Sequence, residues 1–260
     1  MEKLVRYSPG NGDGMFDNDN GAYIEYTDHL KVVNKLKIWH IGDTHTYHGL
    51  LEIPEGIDLV IFSGDCSNPR SPYNNEPEVR DFIHWFKTLP IEHKIFVAGN
   101  HDSSIESKLV IEADFNDYNI IYLENNSITI KGIKIWGSPH TPTFGNWSFM
   151  KQRSKLDKVW KSIPDDTDIV VVHGPPKGIL DLAYSRNHEL EFCGCSALKK
   201  RILNMPNLKL VCFGHIHNND DIINAGTVKL SRQDTIFSNG SVVTDRKFGT
   251  LSSNGNILEI

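Results

Sequence analysis

Short apolar runs, each closed by a polar or glycine-containing turn, recur along the chain. Leu36–Ile41 stops at Gly42-Asp43-Thr44-His45, Asp58–Phe62 at Ser63-Gly64-Asp65, and Lys94–Ala98 at Gly99-Asn100-His101-Asp102. Asp168–Val172 stops at His173-Gly174, and Leu208–Phe213, interrupted by Lys209, stops at Gly214-His215-Ile216-His217. Runs of this length bounded by turns predict buried strands. After three prolines, Val79, Phe82, Ile83, Phe86 and Leu89 fall on one helical face, with Pro77 suited to the first turn and Pro90 to the end. Ile105, Leu109 and Ala113 predict a second helix, and Lys155–Ile163 and Ser196–Met205 two more. Ser127–Ile130 and Ile133–Trp136 alternate around Lys131-Gly132, a hairpin pattern. Ile120–Leu123, Thr227–Leu230, Thr235–Phe237, Val242-Val243 and Ile257–Ile260 read as short strands. Strands alternating with helices predict parallel units, and the hairpin and terminal strands add mixed pairing. The expected class is α/β, a two-sheet sandwich flanked by helices.

Composition narrows this picture without changing it. A chain of 260 residues buries a sizeable core, and 39% hydrophobic with 23% charged residues is ordinary for a soluble domain. The net charge of -6 gives no general basic footprint for nucleic acid or an anionic membrane, and no stretch is apolar enough to span a bilayer. Residues 1–34 read as a turn-rich extension and 35–260 as the domain. Asp17-Asn18-Asp19-Asn20-Gly21 invites a calcium-loop reading, but Ala22 and Asp28 stand where such a loop needs Gly and Glu. Cys66, Cys193, Cys195 and Cys212 lack zinc-finger spacing and read as reduced thiols of a cytoplasmic protein.

The chemistry sits at the strand ends. In an open parallel sheet the carboxyl ends of the strands lie along one edge, so these turns would meet in one crevice. A glycine beside each candidate would let the backbone turn sharply. Asp43, His45, Asp65, Asn100, His173, His215 and His217 form an oxygen and nitrogen donor set without thiolate. It suits Mn²⁺ best, with Fe, Zn²⁺, Co²⁺ or Mg²⁺ as alternatives. Seven donors exceed one zinc site but suffice for two ions if a carboxylate bridges. Such pairs share and acidify a bridging water that attacks phosphate esters. His101 follows Asn100 directly, so its ring is expected to face substrate, as a general acid or a stabiliser of charge, with Asp102 orienting it. Asn100 and His101 are thus the expected substrate contacts. His48, His140 and His188 are weighed as further contacts or as ordinary histidines. Cys195 is expected to start a helix and not to act as a nucleophile, and Trp147 and Phe149 to fill core.

Asp43-x-His45, Gly64-Asp65, Gly99-Asn100-His101-Asp102, His173 and Gly214-His215-x-His217 together resemble the calcineurin-like metallophosphoesterase superfamily. The resemblance spans residues 38–241. It implies a four-layered sandwich and a dinuclear centre, with Asp43, His45 and His217 on one ion, Asn100, His173 and His215 on the other, and Asp65 between them. The family often carries Asn or Asp soon after the bridging residue, whereas Asn68 here sits in a proline-rich loop. Gly137-Ser138-Pro139, Thr141-Pro142, Trp147, Ile163-Pro164, His173-Gly174-Pro175-Pro176, Gly178, Leu180, Asp181 and Gly194-Cys195 look like the metallophosphoesterase-domain-containing (fetal-brain-protein-like) branch. That branch implies hydrolysis of a nucleotide phosphodiester or cyclic nucleotide, a small-molecule substrate. The alternatives are a protein or small-molecule phosphomonoesterase, a DNA nuclease (disfavoured by the acidic charge) and a protein-binding scaffold, which loss of candidate ligands would mark.

Overall fold

A computed structural model describes residues 36–185, 187–219, 221–231, 234–244 and 250–260, and the strands Met15–Asp17 and Tyr23–Glu25. The chain divides into two compact units, Met1–Leu36 with Glu259, and Lys37–Leu258 with Ile260. In the first, Met15–Asp17 and Tyr23–Glu25 pair antiparallel. The rest of the acidic tract Asp17–Asp28 lies outside the described residues. In the second unit, eleven strands form the two larger sheets. They are β1 (Lys37–Ile41), β2 (Leu59–Phe62), β3 (His93–Phe96), β4 (Ile121–Tyr122), β5 (Asn126–Ile130), β6 (Ile133–Ser138), β7 (Ile169–Val172), β8 (Leu210–Phe213), β9 (Gly226–Lys229), β10 (Ile236–Asn239) and β11 (Asn256–Glu259). One sheet has the order β11-β1-β2-β3-β4 and the other β9-β10-β8-β7-β6-β5. β1 to β4 run parallel, as do β6, β7, β8 and β10, whereas β5 and β9 are antiparallel edges.

Alternation along the strands explains the layering. Trp39, Ile41, Val60, Phe62 and Phe96 pack against Val79, Phe82, Ile83 and Phe86 of helix α1 (Pro72–Thr88). Trp136, Val170, Val172, Val211 and Phe213 pack against Leu156 and Trp160 of α2 (Arg153–Trp160) and Leu198 and Ile202 of α3 (Ser196–Ile202). The intervening residues, such as Ile38, His40, Ile61, Ile169, Val171 and Cys212, are also fully buried and point to the opposite faces of their sheets. The sheets meet there. His40 Nδ1 lies 2.8 Å from Ser238 Oγ, and its Nε2 lies 3.0 Å from Ser63 Oγ. Helix, sheet, sheet and helices thus make four layers. Among the described residues no helix is long and apolar enough to cross a membrane.

Two local expectations change and a third holds. The helix starts at Pro72, so Pro77 lies in its interior rather than its first turn. Ring closure suits Pro72 to the first helical position equally well. The helix expected through Ile105, Leu109 and Ala113 breaks into Ser103–Glu106 and Glu112–Asn116, because Lys108 adopts φ 62° between them. Lys131 and Gly132 both take positive φ, as a two-residue hairpin turn requires, so this pair behaves as expected.

Burial lowers the His40 pKa to about 3, against a weaker opposing pull from Asp43. The folded chain therefore keeps this ring neutral, while the unfolded chain binds a proton below about pH 6.5. Stability from this residue is constant above that pH and falls as pH drops towards 3, by about 1.4 kcal/mol per unit. Urea unfolding at about pH 7.5 and 5.5 should show a smaller pH dependence for His40→Asn than for the native chain. Equal pH dependence would show that His40 is not a buried neutral group.

Candidate functional site

The five turns come together, though not along one sheet edge. Asp43 and His45 follow β1, Asp65 follows β2, and Asn100 and His101 follow β3, all in one sheet. His173 follows β7, and His215 and His217 follow β8, in the other. The crevice is therefore a seam between the strand ends of two facing sheets, because the sandwich aligns both sets of parallel strands.

The sharp turns fall on the polar residues themselves. Asp43, His45, Asp65 and His215 have φ of 50°, 42°, 61° and 71°, and of Gly42, Gly64, Gly99 and Gly214 only Gly64 is left-handed, at 104°. Non-glycine residues in this region carry strain of order 1–3 kcal/mol each, a feature that clusters at functional sites. The glycines serve close approach instead. A Cβ on Gly99 would strike Asp65 Oδ1, one on Gly214 would strike Asp43 Oδ2, and one on Gly64 would lie 2.6 Å from His173 Nδ1.

Backbone atoms aim the side chains. His173 donates Nδ1–H to the Ser63 carbonyl at 2.9 Å, which turns its Nε2 towards Asn100 Oδ1 at 2.9 Å and Asp65 Oδ2 at 3.3 Å. His45 donates Nδ1–H to the Ser67 carbonyl at 3.2 Å and places Nε2 4.0 Å from Asp65 Oδ2. A carbonyl can only accept, so Nδ1 of each ring carries a hydrogen and Nε2 is the nitrogen that faces the cluster, the usual preparation of a metal-binding histidine. His217 Nε2 lies 3.4 Å from Asp43 Oδ1, while the His215 amide donates to both Asp43 oxygens. The donor atoms fall into three overlapping sets within 4.8 Å that could hold a metal ion: Asp43, His45 and His217; His45, Asp65 and His101; and Asp65, His173 and His215.

The electrostatics fit a cation. Burial opposes charge on Asp65, but His173, His101 and His45 around it hold the carboxyl well below the usual carboxylate range. Burial likewise opposes charge on Asp43, which His217 keeps low. Burial alone would lower His173, yet Asp65 and Asp43 raise it. Burial, helped by His173, lowers His215 to about 3. The cluster thus holds buried negative charge that draws a proton onto one histidine, where a divalent ion would compensate it with lone-pair donors already aimed.

His101 and Asp102 have separate environments. The His101 amide donates to Asp65 Oδ1 at 2.7 Å, and its Nδ1 lies 3.1 Å from the Asn68 carbonyl. Its ring lies 4.2 Å from that of Trp147, over which the Arg70 guanidinium sits at 3.7 Å. The orienting contact expected from Asp102 is therefore made by Asn68 and Trp147. Asp102 is fully buried and accepts from the amides of Gly99, Asp65, Cys66 and Ser67 and from Ser67 Oγ, tying the turn after β2 to the turn after β3. Asn68 also donates from Nδ2 to the His45 carbonyl, which gives its loop a positioning task.

The remaining sequence candidates lie elsewhere. His48 is buried against Phe82 and Trp85 of α1, with Nε2 3.2 Å from Asp81. His140 is buried, with Nδ1 3.1 Å from the Phe149 carbonyl. His188 is exposed at a hairpin turn. Cys195 is the N-cap of α3, and its Sγ accepts from Trp160 Nε1. Phe149 is core, as expected, but Trp147 is only partly buried and walls a cavity of about 360 Å³ with Arg70 and Asn100. A tryptophan in a Gly-Asn-Trp-Ser turn was the available signal, since turn sequence seldom enters a core.

The calcineurin-like phosphoesterase family model matches residues 36–219. Metallophosphoesterase domain-containing protein 1 of Homo sapiens is 31% identical over 227 residues, covering 78% of this chain and 65% of that protein, and the protein of the same name from Mus musculus matches equally. The chain thus spans about two thirds of the length of these curated relatives. A 3′,5′-cyclic-nucleotide phosphodiesterase of Nostoc sp. is 24% identical over 206 residues, 73% of this chain and 68% of that one. One solved structure superposes with a TM-score of 0.61 at 13% identity over 87% of this chain and 99% of its own, a likeness of fold alone.

The close approaches make a direct prediction. Gly214→Ala should displace the Asp43 carboxylate and lower both metal uptake and phosphoesterase activity at least about tenfold, since misplacing a reacting group by about 1 Å costs about that much or more. Elemental analysis and hydrolysis of bis-p-nitrophenyl phosphate check this, and native behaviour in both would mean that the crevice tolerates the methyl group.

Proposed function

The chain belongs to the calcineurin-like phosphoesterase family, and we propose on that premise that it is a metal-dependent phosphodiesterase acting on a nucleotide or cyclic nucleotide. Asp65 carries the reading, because it alone belongs both to the donor set with His173 and His215 and to the one with His45 and His101. We assign Asp43, His45 and His217 to one ion, Asn100, His173 and His215 to the second, and Asp65 to both, with Mn²⁺ as the preferred ion. Two such ions supply Lewis acidity towards the phosphoryl oxygens and an acidified water.

The protein's own groups do the rest. His101 presents Nε2 to the crevice, because Nδ1 is engaged by Asn68. In the protonated ring that nitrogen delivers a proton to the leaving alkoxide. Asn100 and His101 together contact the ester, and Asp102 positions the Asp65 turn beneath it. Cavities of about 360 Å³ beside Asn100 and about 570 Å³ beside His215 flank the cluster. A diester carries an arm on each side of phosphorus, and two flanking cavities suit it better than a monoester. The cyclic-nucleotide phosphodiesterase of Nostoc among the relatives supports a nucleotide, and four free thiols suit a reducing cytoplasm.

Asp65→Asn should abolish hydrolysis and tight binding of a second ion, because an amide lacks the charge needed between two dications. Retention of two ions per chain would remove Asp65 from its bridging place. His101→Ala should keep both ions while kcat falls about 10²–10⁴-fold on a nucleotide diester and less on a nitrophenyl ester, whose leaving group needs no proton. Equal losses would leave charge stabilisation as its role, and loss of an ion would make His101 a ligand. Faster turnover of p-nitrophenyl phosphate than of bis-p-nitrophenyl phosphate would favour a monoesterase.

A further inference from the structure

Helix α1 carries a polar residue where its pattern calls for an apolar one. Val79, Phe82, Ile83 and Phe86 form its buried stripe, and one turn earlier Asn75 continues the same face, fully buried. Asparagine favours a helix only weakly, and a buried amide costs stability unless its hydrogen bonds are made. Here they are made. Oδ1 accepts from the Ser104 amide at 3.0 Å and from Ser104 Oγ at 2.9 Å. Nδ2 donates to the His101 carbonyl and Ser67 Oγ, both at 2.8 Å, and to the Pro69 carbonyl at 3.0 Å. The Ser104 amide can only donate and the two carbonyls can only accept, so the side chain has one orientation.

Glu78 follows Asn75 by three positions, on the same side of α1, and its Oε2 accepts from the Asn68 amide at 2.8 Å. The helix thus grips residues 67, 68 and 69 in succession, Glu78 at the middle one and Asn75 on either side. That segment aims two rings of the cluster. The Ser67 carbonyl receives His45 Nδ1, and the Asn68 carbonyl lies 3.1 Å from His101 Nδ1. A histidine bound to an ion is held by the ion as well. His101, read above as facing the ester, has no such tether. Its ring rests on Asn68 and Trp147, and its backbone is held by Asp65 at the amide and by Asn75 at the carbonyl.

We propose that Asn75 and Glu78 are positioning residues for His101: from helix α1 they fix the 67–69 segment and the His101 backbone, and so set where the ring meets the leaving oxygen. The inference rests on the phosphoesterase reading above and adds two residues that touch neither the ester nor an ion. Loss of either lets the segment relax and His101 drift, while every candidate metal ligand stays in the chain.

The test measures kcat of the full chain loaded with Mn²⁺ on a nucleotide diester and on bis-p-nitrophenyl phosphate. Asn75→Ala, Glu78→Ala and Glu78→Gln are each made alone and together with His101→Ala. Alone, the two alanine variants should keep both ions and lose about 10–100-fold in kcat on the nucleotide diester, the scale of a misplaced catalytic group, and less on the nitrophenyl ester. Glu78→Gln, whose amide oxygen still accepts from Asn68, should keep most of the native rate. With His101 already removed, either alanine substitution should change kcat by less than about twofold, because residues that act through one group do not add. The same loss with and without His101 would overturn the proposal, by showing that the two residues only support the fold. Native kcat in Glu78→Ala would also overturn it. Asn75 is buried and its alanine variant could unfold, in which case the half-buried Glu78 decides the matter alone. Hydrolysis by the native chain that His101→Ala leaves unchanged would remove His101 from the chemistry and this role with it, whereas a metal-loaded native chain that cleaves neither ester would sink the phosphoesterase reading itself.

Discussion

Asp43 and Asp65 are carboxylates buried where two sheets meet, and a buried charge without compensation costs several kcal/mol. Much of the surrounding structure answers that cost. The His215 and His101 amides donate to them, and glycines at 99 and 214 let the backbone come against their oxygens. Four left-handed residues hold the turns that point them inward. A third buried carboxylate, Asp102, collects four amides from two turns, and burial together with Asp65 raises its pKa. The strain and the buried charge are both explained if cations belong in the crevice.

The sandwich makes this arrangement affordable. His40 lies between the sheets and reaches Ser63 on one and Ser238 on the other. The Ser63 carbonyl in turn fixes the His173 ring. The inter-sheet contact and the aim of a donor histidine are thus joined through a single residue. The sheets hold the two halves of the donor set, so their packing decides whether the halves meet.

The strands and the candidate residues were legible because each combined two signals, an apolar run and a turn bearing donors. Strand ends moved by only a residue or two, as from Lys94–Ala98 to His93–Phe96. Glycine was legible as a marker, but its use was not. A one-dimensional pattern does not distinguish a residue that turns the chain from one that admits a neighbour's oxygen. The support of His101 was equally hidden, since it comes from the Asn68 carbonyl and the Trp147 ring, 33 and 46 positions away. Asp102 illustrates the same limit: adjacency in sequence suggested a partner for His101, whereas its oxygens serve backbone amides.

The central claim is that this seam holds two ions joined by one carboxylate. Anomalous diffraction from crystals grown with Mn²⁺ tests it most directly. The account predicts two peaks about 3.5–4 Å apart, both within bonding distance of Asp65, one beside His45 and His217 and the other beside His173 and His215. A single peak, or two peaks that do not share Asp65, would contradict it.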